Sequence, residues 1–491
     1  MEIDGTRLTP EYPHAPDSTV VRFALPRAIP PGGTATFSFR WRARPSTLCR
    51  RQCRRGRSWD FAQWYPRVAV YDRGGWQALP LHPQGEFYGE YGVYDVTLDL
   101  AEDQVVGATG AVIAGDPGWR PEPTSPVAAV GLQGDWYEER AEPRSPGFLA
   151  GSPDPGRKRV RFYGEKVHHF AWSTSPEYRY EAGRHGDVAV HVLFRPGDLD
   201  WDLGAVVKRS VRSLEWLETV FGPYPYPQIT NLHRLEGGGT EFPMVVMDGG
   251  PGQGLITHEL AHQYAMGIFG SNEWKDAYLD EGMASFLTNW FVEEVGEANL
   301  WPRVVRRVEE AEAQGALPVP VATPSHEMPD YGTYGMLAYA KPSVVYRMLR
   351  ELVGEEAMRE GLALYYERKA FQHVVEDDLR RAIEDASGME LGWFFRQWLH
   401  TTATLDYAAT EVRQVREEDG RWRTTVTVTR DGEAWMPVAV EIGPERVTLE
   451  SRERSRDMAV VTTVRPAEVV VDPDVVLIDV DRSNNRVVVE R

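Results

Sequence analysis

The amino-acid sequence predicts a multidomain α+β protein in which two β-rich parts flank a mixed α/β part. Up to residue 195, short stretches alternate apolar and polar side chains and are separated by Pro and Gly, which is typical of strands. From residue 196 to 402, apolar residues recur at helical spacing. The alternating pattern then returns. We therefore expect an N-terminal β-sandwich domain (1–195), an α/β domain (196–402) and a small C-terminal β-sandwich domain (403–491).

Composition and charge narrow the possible functions. The chain has 491 residues and a formal net charge of −19 at pH 7. This acidity disfavours nonspecific binding to nucleic acids or anionic lipids, and it suits the binding of cationic groups. No apolar run approaches the roughly 18 residues of a membrane span. Residues 1–16 are polar and carry no secretory signal, so we expect a cytoplasmic protein, or a secreted or periplasmic one if the N-terminus is truncated.

The N-terminal part contains five predicted strands and one pair of cysteines. The strands are Val20–Leu25, Thr34–Trp41, Tyr94–Leu100, Arg159–Phe162 and Val188–Leu193. Cys49 and Cys53 lie in an arginine-rich stretch, 42–57, that we interpret as a solvated loop, with a docking surface as the alternative. A single close pair is weak evidence for a metal site. We favour unpaired thiols, with a local disulfide as the alternative.

A helix and a glycine-rich segment open the α/β domain. Apolar residues recur at helical spacing from Trp201 to Val220, including Leu203. The segment Gly237–Pro243 then precedes a predicted strand, Met244–Met247. Glycines permit close approach of another backbone, so this segment is predicted to be an edge strand beside a cleft, where a peptide could add. An ordinary tight turn is the alternative.

The motif His258-Glu259-Leu260-Ala261-His262 predicts a metal site. It lies in a predicted helix, Leu255–Ile268, where residues four apart share one face. Two imidazoles can therefore converge on one zinc ion, with Glu259 beside the metal-bound water. The alternative for these five residues alone is a surface helix with two solvated histidines.

Glu281 supplies the third predicted ligand. It follows His262 after eighteen residues, in a second predicted helix, Tyr278–Val295. Three protein ligands, His258, His262 and Glu281, leave a fourth position open for water, as in catalytic rather than structural zinc sites. The sequence therefore predicts a hydrolytic centre with one Zn²⁺ per chain.

The remaining sequence predicts further helices and a final group of strands. The predicted helices are Leu300–Glu310, a helix after Tyr339, Glu355–Lys369, Glu376–Ala386 and Leu391–Leu399. The predicted strands are Arg421–Thr429, Pro437–Ile442 and Met458–Val464, followed by a closing turn at Asp481–Asn485.

Three motifs in this order resemble the zinc aminopeptidase N family, a gluzincin family that also holds the leukotriene epoxide hydrolase. The His-Glu-x-x-His motif is followed after eighteen residues by Glu281, within Asp-Glu-Gly-x-Ala-Ser. Gly237–Pro243 lies where the family carries Gly-Ala-Met-Glu-Asn, and Tyr339-Ala340-Lys341-Pro342 resembles its Tyr-x-Lys-Gly segment. The resemblance covers at least residues 200–400. It implies a thermolysin-like catalytic domain, in a bacterial member that lacks the family's C-terminal helical domain.

The resemblance also implies residue roles. His258, His262 and Glu281 would bind zinc, and Glu259 would act as general base. Tyr339 would donate a hydrogen bond to the oxyanion of the tetrahedral intermediate, with Tyr331 and Tyr334 as rivals.

Substrate binding is the second group of roles that the resemblance implies. Glu241 would hold the α-ammonium group of the substrate, in a segment that also contains the substrate-binding residues Gly238 and Gly239. Many family members add a Gln or Glu from the N-terminal domain, and we assign none here. Thr240, Phe242 and Pro342 depart from the family's Met, Asn and Gly, which leaves the preferred first side chain open.

The predicted function is release of single amino acids from the free N-terminus of peptides. The alternatives are epoxide hydrolysis at the same zinc site and a noncatalytic peptide-binding scaffold. An endopeptidase of the thermolysin type is chemically close, and the segment that bears Glu241 separates it from this prediction.

Overall fold

Two antiparallel sheets form the N-terminal sandwich in the computed structural model, which describes residues 1–119, 154–197, 200–201, 204–296 and 298–489. One sheet has the strands Ala111–Gly115, Arg157–Val167 and Gly92–Ala101, and the other has Cys53–Arg55, Ser58–Phe61, Trp172–Ser175 and Val105–Ala108. Apolar side chains from both sheets share one core, including Leu98, Phe162, Val106 and Trp172.

The first fifty residues contain less regular structure than predicted. The strands there are Glu2–Ile3, Thr6–Arg7 and Phe37–Ser38, and a hairpin follows at Val70–Asp72 and Gly75–Gln77. The predicted strand Val20–Leu25 is wrong, since only a single bridge joins Arg22 to Glu11. The predicted strand Thr34–Trp41 is reduced to two residues. Apolar side chains of both predicted strands, such as Val21 and Trp41, are exposed, so the alternating pattern does not pack against a core.

A four-stranded sheet forms the floor of the central part. In order it contains Arg179–His185, Val188–Phe194, Gln228–His233 and Val245–Asp248, and the last three strands are parallel. Helix α1, Ala205–Val220, lies in the connection between the first two parallel strands, and Leu203 lies outside the described residues. The sheet extends across the predicted boundary at residue 195, and the three domain ranges remain predictions.

Within the described residues, eight further α-helices complete the central part. They are α2 (Gln253–His262), α3 (Glu281–Glu294), α4 (Trp301–Ala313), α5 (Tyr331–Tyr334), α6 (Lys341–Val353), α7 (Glu355–Lys369), α8 (Glu376–Ser387) and α9 (Gly392–His400). Two π-helical segments, Gln263–Ile268 and Gly335–Ala340, extend α2 and α5, and such segments occur often at functional sites. The short strands Phe269–Gly270 and Gln372–His373 pair in parallel. No helix in the described part of the chain combines the length and apolar character that a membrane span requires.

A second sandwich closes the fold. One of its sheets contains the strands Tyr407–Arg416, Trp422–Arg430 and Ser455–Thr462. The other sheet contains Glu445–Leu449, Val438–Ile442, Glu468–Val471 and Arg486–Val488. Polar contacts join it to the helices: Arg482 Nε donates to Glu309 of α4 at 2.6 Å, and Arg347 of α6 donates to the carbonyl of Val475 at 2.7 Å. The predicted α+β fold class, with β-sandwiches on both sides of a mixed centre, is confirmed.

Candidate active site

Helices α2 and α3 bring the three predicted ligands to one point. The Nε2 atoms of His258 and His262 are 3.1 Å apart. Glu281, the first residue of α3, has its Oε2 at 3.2 Å and 3.1 Å from these two nitrogens. Zinc bonds of about 2.0–2.1 Å place the ligand atoms of a tetrahedral ion about 3.3 Å apart. These three residues therefore fit a single zinc ion.

Asp280 orients one of the histidines, a role that was not predicted from the sequence. His262 Nδ1 and Asp280 Oδ1 form a hydrogen bond, and both side chains are fully buried. This bond fixes the ring so that Nε2 faces the ligand cluster, an arrangement usual for metal-binding histidines. The signal was present in the sequence, because an acidic residue directly precedes Glu281 at the start of α3.

Tyr339 is the tyrosine that reaches the cluster. It lies in the π-helical segment Gly335–Ala340, and its hydroxyl donates to Oε1 of Glu281. Of its two rivals, Tyr331 is 71% exposed, whereas Tyr334 is buried and packs edge-on against Tyr339. The position of Tyr339 fits the predicted oxyanion role better than that of Tyr331.

The residues that follow Tyr339 are held firmly. Lys341 Nζ lies 2.8 Å from Glu312 Oε1, and both side chains are buried. Pro342 occupies the first turn of α6, where proline is well tolerated. It also packs on Gly282, where an added Cβ would lie 2.7 Å from the proline Cβ. The departure from the family's Gly is thus accommodated by Gly282 of α3.

The glycine-rich segment is not a regular strand, so that prediction is wrong. It folds back on the edge strand Val245–Asp248, through hydrogen bonds from Met247 N to Thr240 O at 2.9 Å and from Gly249 N to Gly238 O at 2.7 Å. Gly238 has a φ of 74°, a conformation that favours glycine and interrupts an extended strand. The segment still lies at the sheet edge beside the cluster, where the sequence placed it.

Gly239 and Glu259 are in direct contact. A Cβ on Gly239 would collide with the carboxylate of Glu259. Glu259 is buried, and its Oε2 has no hydrogen-bond partner among the described residues. Burial, reinforced by the nearby charge of Glu241, raises the pKa of Glu259. A raised pKa suits a carboxylate that accepts and then returns a proton.

A second group of carboxylates lies next to the predicted ligands. Oxygen atoms of Glu86, Glu241 and Glu273 are within 4.8 Å of one another, and Glu241 also lies within 4.8 Å of Asp280 and Glu281. All these side chains are buried. Several buried carboxyl groups therefore lie together beside the histidines.

Glu86 is a further buried carboxyl group in this cluster, and no role was predicted for it from the sequence. It comes from the N-terminal part of the chain and reaches the same cluster as Glu241. The next residue anchors the segment, since Phe87 N donates to Glu273 Oε2 at 2.9 Å. Burial raises the pKa of Glu86, and Arg51 opposes that effect.

Cys49 and Cys53 form a disulfide, so the expectation of unpaired thiols is wrong. The loop is closed by its backbone, since Arg54 N donates to Ser46 O at 2.8 Å, and this brings the two cysteines together. The arginine-rich stretch is also not wholly solvated. Arg51, inside the disulfide loop, extends into the carboxylate group and donates to Glu86 Oε1.

Comparisons with known proteins identify part of the chain. Residues 252–398 match the model of the peptidase family M1 domain. Aminopeptidase N of Escherichia coli is 29% identical over 160 residues, which is 30% of this chain and 18% of that protein. Aminopeptidase N of Lactobacillus delbrueckii is 27% identical over 180 residues, 35% of this chain and 20% of that protein. The matches thus cover about a fifth of these relatives.

A solved structure extends the similarity to most of the fold. The crystal structure of Legionella pneumophila aminopeptidase A in complex with aspartic acid matches 86% of this chain and 47% of that chain, with a TM-score of 0.59 and 12% identity. At that identity the match concerns the fold alone. The matched residues 252–398 include His258, His262, Glu281 and Tyr339. Residues 252–398 are therefore similar to the peptidase family M1 domain, and this part of the chain resembles the aminopeptidase N enzymes.

Proposed function

We propose that this protein is a zinc-dependent aminopeptidase that hydrolyses the N-terminal peptide bond of peptides. One observation carries the proposal: a ligand set that fits zinc, His258, His262 and Glu281, lies beside a buried carboxylate group that contains Glu86 and Glu241. The first set suits peptide hydrolysis, and the second suits a cationic amino terminus. The aminopeptidase relatives support the same activity.

The reaction needs a metal ion that the three ligands would hold. When bound there, zinc activates a water molecule and polarises the scissile carbonyl. Asp280 keeps the His262 ring in its orientation through Nδ1. The site has no cysteine ligand, and a three-residue set of this kind leaves room for water.

Glu259 acts as the general base. Its carboxylate is buried next to the ligands and has an oxygen without a hydrogen-bond partner among the described residues. It takes a proton from the attacking water and passes it to the leaving amine. Tyr339, whose hydroxyl lies at Glu281, donates a hydrogen bond to the oxyanion of the tetrahedral intermediate. Donors of this kind contribute about 3–4 kcal/mol to transition-state stabilisation.

Glu86 and Glu241 bind the amino terminus of the substrate. Glu86 Oε2 and Glu241 Oε1 have no hydrogen-bond partner in the described part of the chain. These oxygens accept hydrogen bonds from the α-ammonium group, so the first peptide bond is placed at the metal ligands. Gly238 and Gly239 lie beside this group and allow the substrate backbone to approach.

Free and acetylated forms of the same peptides test the exopeptidase claim. The zinc-loaded protein is expected to release the first residue of the free peptide and to leave the acetylated peptide intact, because acetylation removes the charge that Glu86 and Glu241 bind. Equal cleavage of both forms would contradict the proposal. Glu259→Gln is expected to keep zinc bound and to reduce turnover by roughly 10²-fold or more.

The alternatives gain no support from the described site. Epoxide hydrolysis at the same metal does not need a second buried carboxylate group for an ammonium ion. A noncatalytic scaffold does not need Glu259 and the three ligands together. An activity assay with and without a chelator separates both alternatives from the proposed peptidase.

A further inference from the structure

Arg51 places a positive charge inside the carboxylate group that is proposed to bind the substrate amino terminus. Its guanidinium donates to Glu86 Oε1 and lies over the ring of Phe87, with its carbon 4.9 Å from the ring centroid. The loop that carries it is closed by the disulfide between Cys49 and Cys53. Arg51 is therefore a fixed part of the site rather than a solvated surface residue.

The backbone of the loop is attached to the same cleft. Arg51 N donates to Glu236 Oε2 at 2.7 Å, and Glu236 directly precedes the glycine-rich segment. Arg51 has a φ of 34°, an unusual conformation for a residue other than glycine, which three constraints maintain: the disulfide, the bond to Glu236 and the ion pair with Glu86. Such a conformation at a cleft is typical of a residue with a binding role.

After Arg51 pairs with Glu86, the described part of the cleft still has unpaired hydrogen-bond donors on Arg51 and unpaired carboxylate oxygens. The Arg51 side chain is 35% exposed. A guanidinium has five N–H donors, and Glu86 Oε1 takes only part of this capacity. Glu86 Oε2 and Glu241 Oε1 remain without hydrogen-bond partners among the described residues. The cleft thus offers carboxylate oxygens and a guanidinium side by side.

This arrangement matches one class of first residue. An acidic amino acid at the N-terminus carries an ammonium and a carboxylate a few bonds apart. We infer that Arg51 binds the side-chain carboxylate of an N-terminal Glu or Asp, while Glu86 and Glu241 bind its ammonium group. The inference rests on the proposed function and adds the substrate class.

The same charges disfavour other first residues. With a neutral first residue, the ammonium group lies near the guanidinium and gains nothing that offsets the repulsion. With Lys or Arg as the first residue, a second positive charge approaches Arg51. The expected order of kcat/KM is therefore acidic, then neutral, then basic.

Isosteric substrates test the inference. Glutamyl and glutaminyl chromogenic substrates have the same shape and differ in one charge. For the wild-type protein, kcat/KM is expected to be about tenfold or more higher for the glutamyl substrate, the usual scale for a hydrogen bond to a charged group. Arg51→Gln is expected to bring this ratio to about one, by lowering the glutamyl value relative to the glutaminyl value.

Matched variants separate Arg51 from the general charge of its loop. Arg50→Gln removes the same charge from an exposed neighbour in the disulfide loop and is expected to keep the wild-type ratio. Arg51→Lys keeps the charge with fewer donors and is expected to retain part of the preference. A wild-type ratio near one overturns the inference. An Arg51→Gln variant that is faster on every substrate also overturns it, since Arg51 would then only obstruct the ammonium site.

A binding measurement separates this inference from the proposed function. Calorimetry with L-glutamate and L-glutamine compares the same two side chains without turnover. Tighter binding of glutamate that is lost in Arg51→Gln supports the role of Arg51 even if no peptide is cleaved. Equal binding of both amino acids overturns it. Cleavage of a leucyl substrate without any glutamyl preference overturns the role of Arg51 and leaves the aminopeptidase proposal in place.

Discussion

At the scale of single residues, the contact between Gly239 and Glu259 shows how closely the site is packed. A Cβ on Gly239 would occupy the position of the Glu259 carboxylate. The proposed general base, Glu259, therefore keeps its position only because Gly239, twenty residues earlier in the chain, has no Cβ. This makes Gly239 a backbone requirement of the site as well as a substrate contact.

Gly239→Ala is expected to lower kcat by roughly tenfold to 10²-fold, because displacement of Glu259 removes much of the general base contribution. Zinc content is expected to stay unchanged, since the ligands are not touched. Steady-state kinetics and metal analysis of the purified variant check both. Gly237→Ala is the control, because a Cβ there meets nothing within 4 Å. Equal activity of the two variants would contradict the packing argument.

Asp280→Asn is expected to weaken zinc binding by roughly 10–100-fold, the usual effect of removing the carboxylate behind a metal-binding histidine. The hydrogen bond from His262 to Asp280 is the structural reason. A zinc titration against a competing chelator measures the change. An unchanged dissociation constant would show that His262 is oriented without Asp280.

His191 predicts a pH dependence of stability. Burial lowers its pKa to about 4, below the ordinary value of about 6.5. Between these values the unfolded chain binds a proton that the folded chain does not, so this contribution is complete above pH 6.5 and is lost as pH falls toward 4. It amounts to about 2 kcal/mol between pH 7 and pH 5. In urea unfolding, His191→Gln is expected to lose less stability than the wild type over this interval, and equal losses would contradict the prediction.

Two of the predicted site residues, His258 and His262, are fixed by local geometry, whereas Tyr339 and Glu241 were predicted from the resemblance to a known family. His258 and His262 are one helical turn apart, so their convergence follows from spacing alone. Glu86 and Arg51 are far from Glu241 in the chain, and no periodicity relates them. Their meeting depends on how the N-terminal sandwich lies against the central part, which the sequence pattern does not encode.

At the scale of secondary-structure elements, the buried ion pair between Lys341 and Glu312 joins α6 to α4. Both side chains are almost fully buried, with Lys341 two residues after Tyr339. The pair therefore holds the end of the π-helical segment that carries Tyr339. Removing one partner leaves the other charge buried without compensation.

Glu312→Gln is expected to destabilise the fold by about 3–5 kcal/mol, the usual cost of breaking a buried ion pair from one side. Denaturant unfolding measures this change. Glu310→Gln, on an exposed position of the same helix, is the control and is expected to have little effect. A loss below about 1 kcal/mol for Glu312→Gln would contradict a buried, uncompensated lysine.

Element predictions succeeded where a long amphipathic pattern faced a core. The helix predicted at Glu355–Lys369 has those bounds, and the one predicted at Glu376–Ala386 ends one residue later. The strand predicted at Val20–Leu25 failed because its apolar side chains are exposed. Alternation alone does not reveal whether a partner strand or a core will be present.

At the scale of the whole molecule, the central sheet explains why the fold class was predictable and the boundaries were not. The sequence pattern groups strand Val188–Phe194 with the N-terminal strands, yet this strand pairs in parallel with Gln228–His233. Pairing between distant strands is decided by tertiary packing. To predict the order of β-rich, mixed and β-rich parts, only composition and periodicity are needed, and this prediction was correct.

The cleft draws on two parts of the molecule. The central helices supply the predicted metal ligands, and the N-terminal part supplies Glu86 and Arg51. Activity is therefore expected to require both parts, with the disulfide loop held against the segment after Glu236.

The most direct test of the central claim is a zinc-edge anomalous diffraction map from zinc-loaded crystals. We expect one strong peak per chain, about 2.0–2.2 Å from the Nε2 atoms of His258 and His262 and from a carboxylate oxygen of Glu281. A peak elsewhere, or Glu281 turned away from the two histidines, would contradict the metal centre on which the proposed function depends.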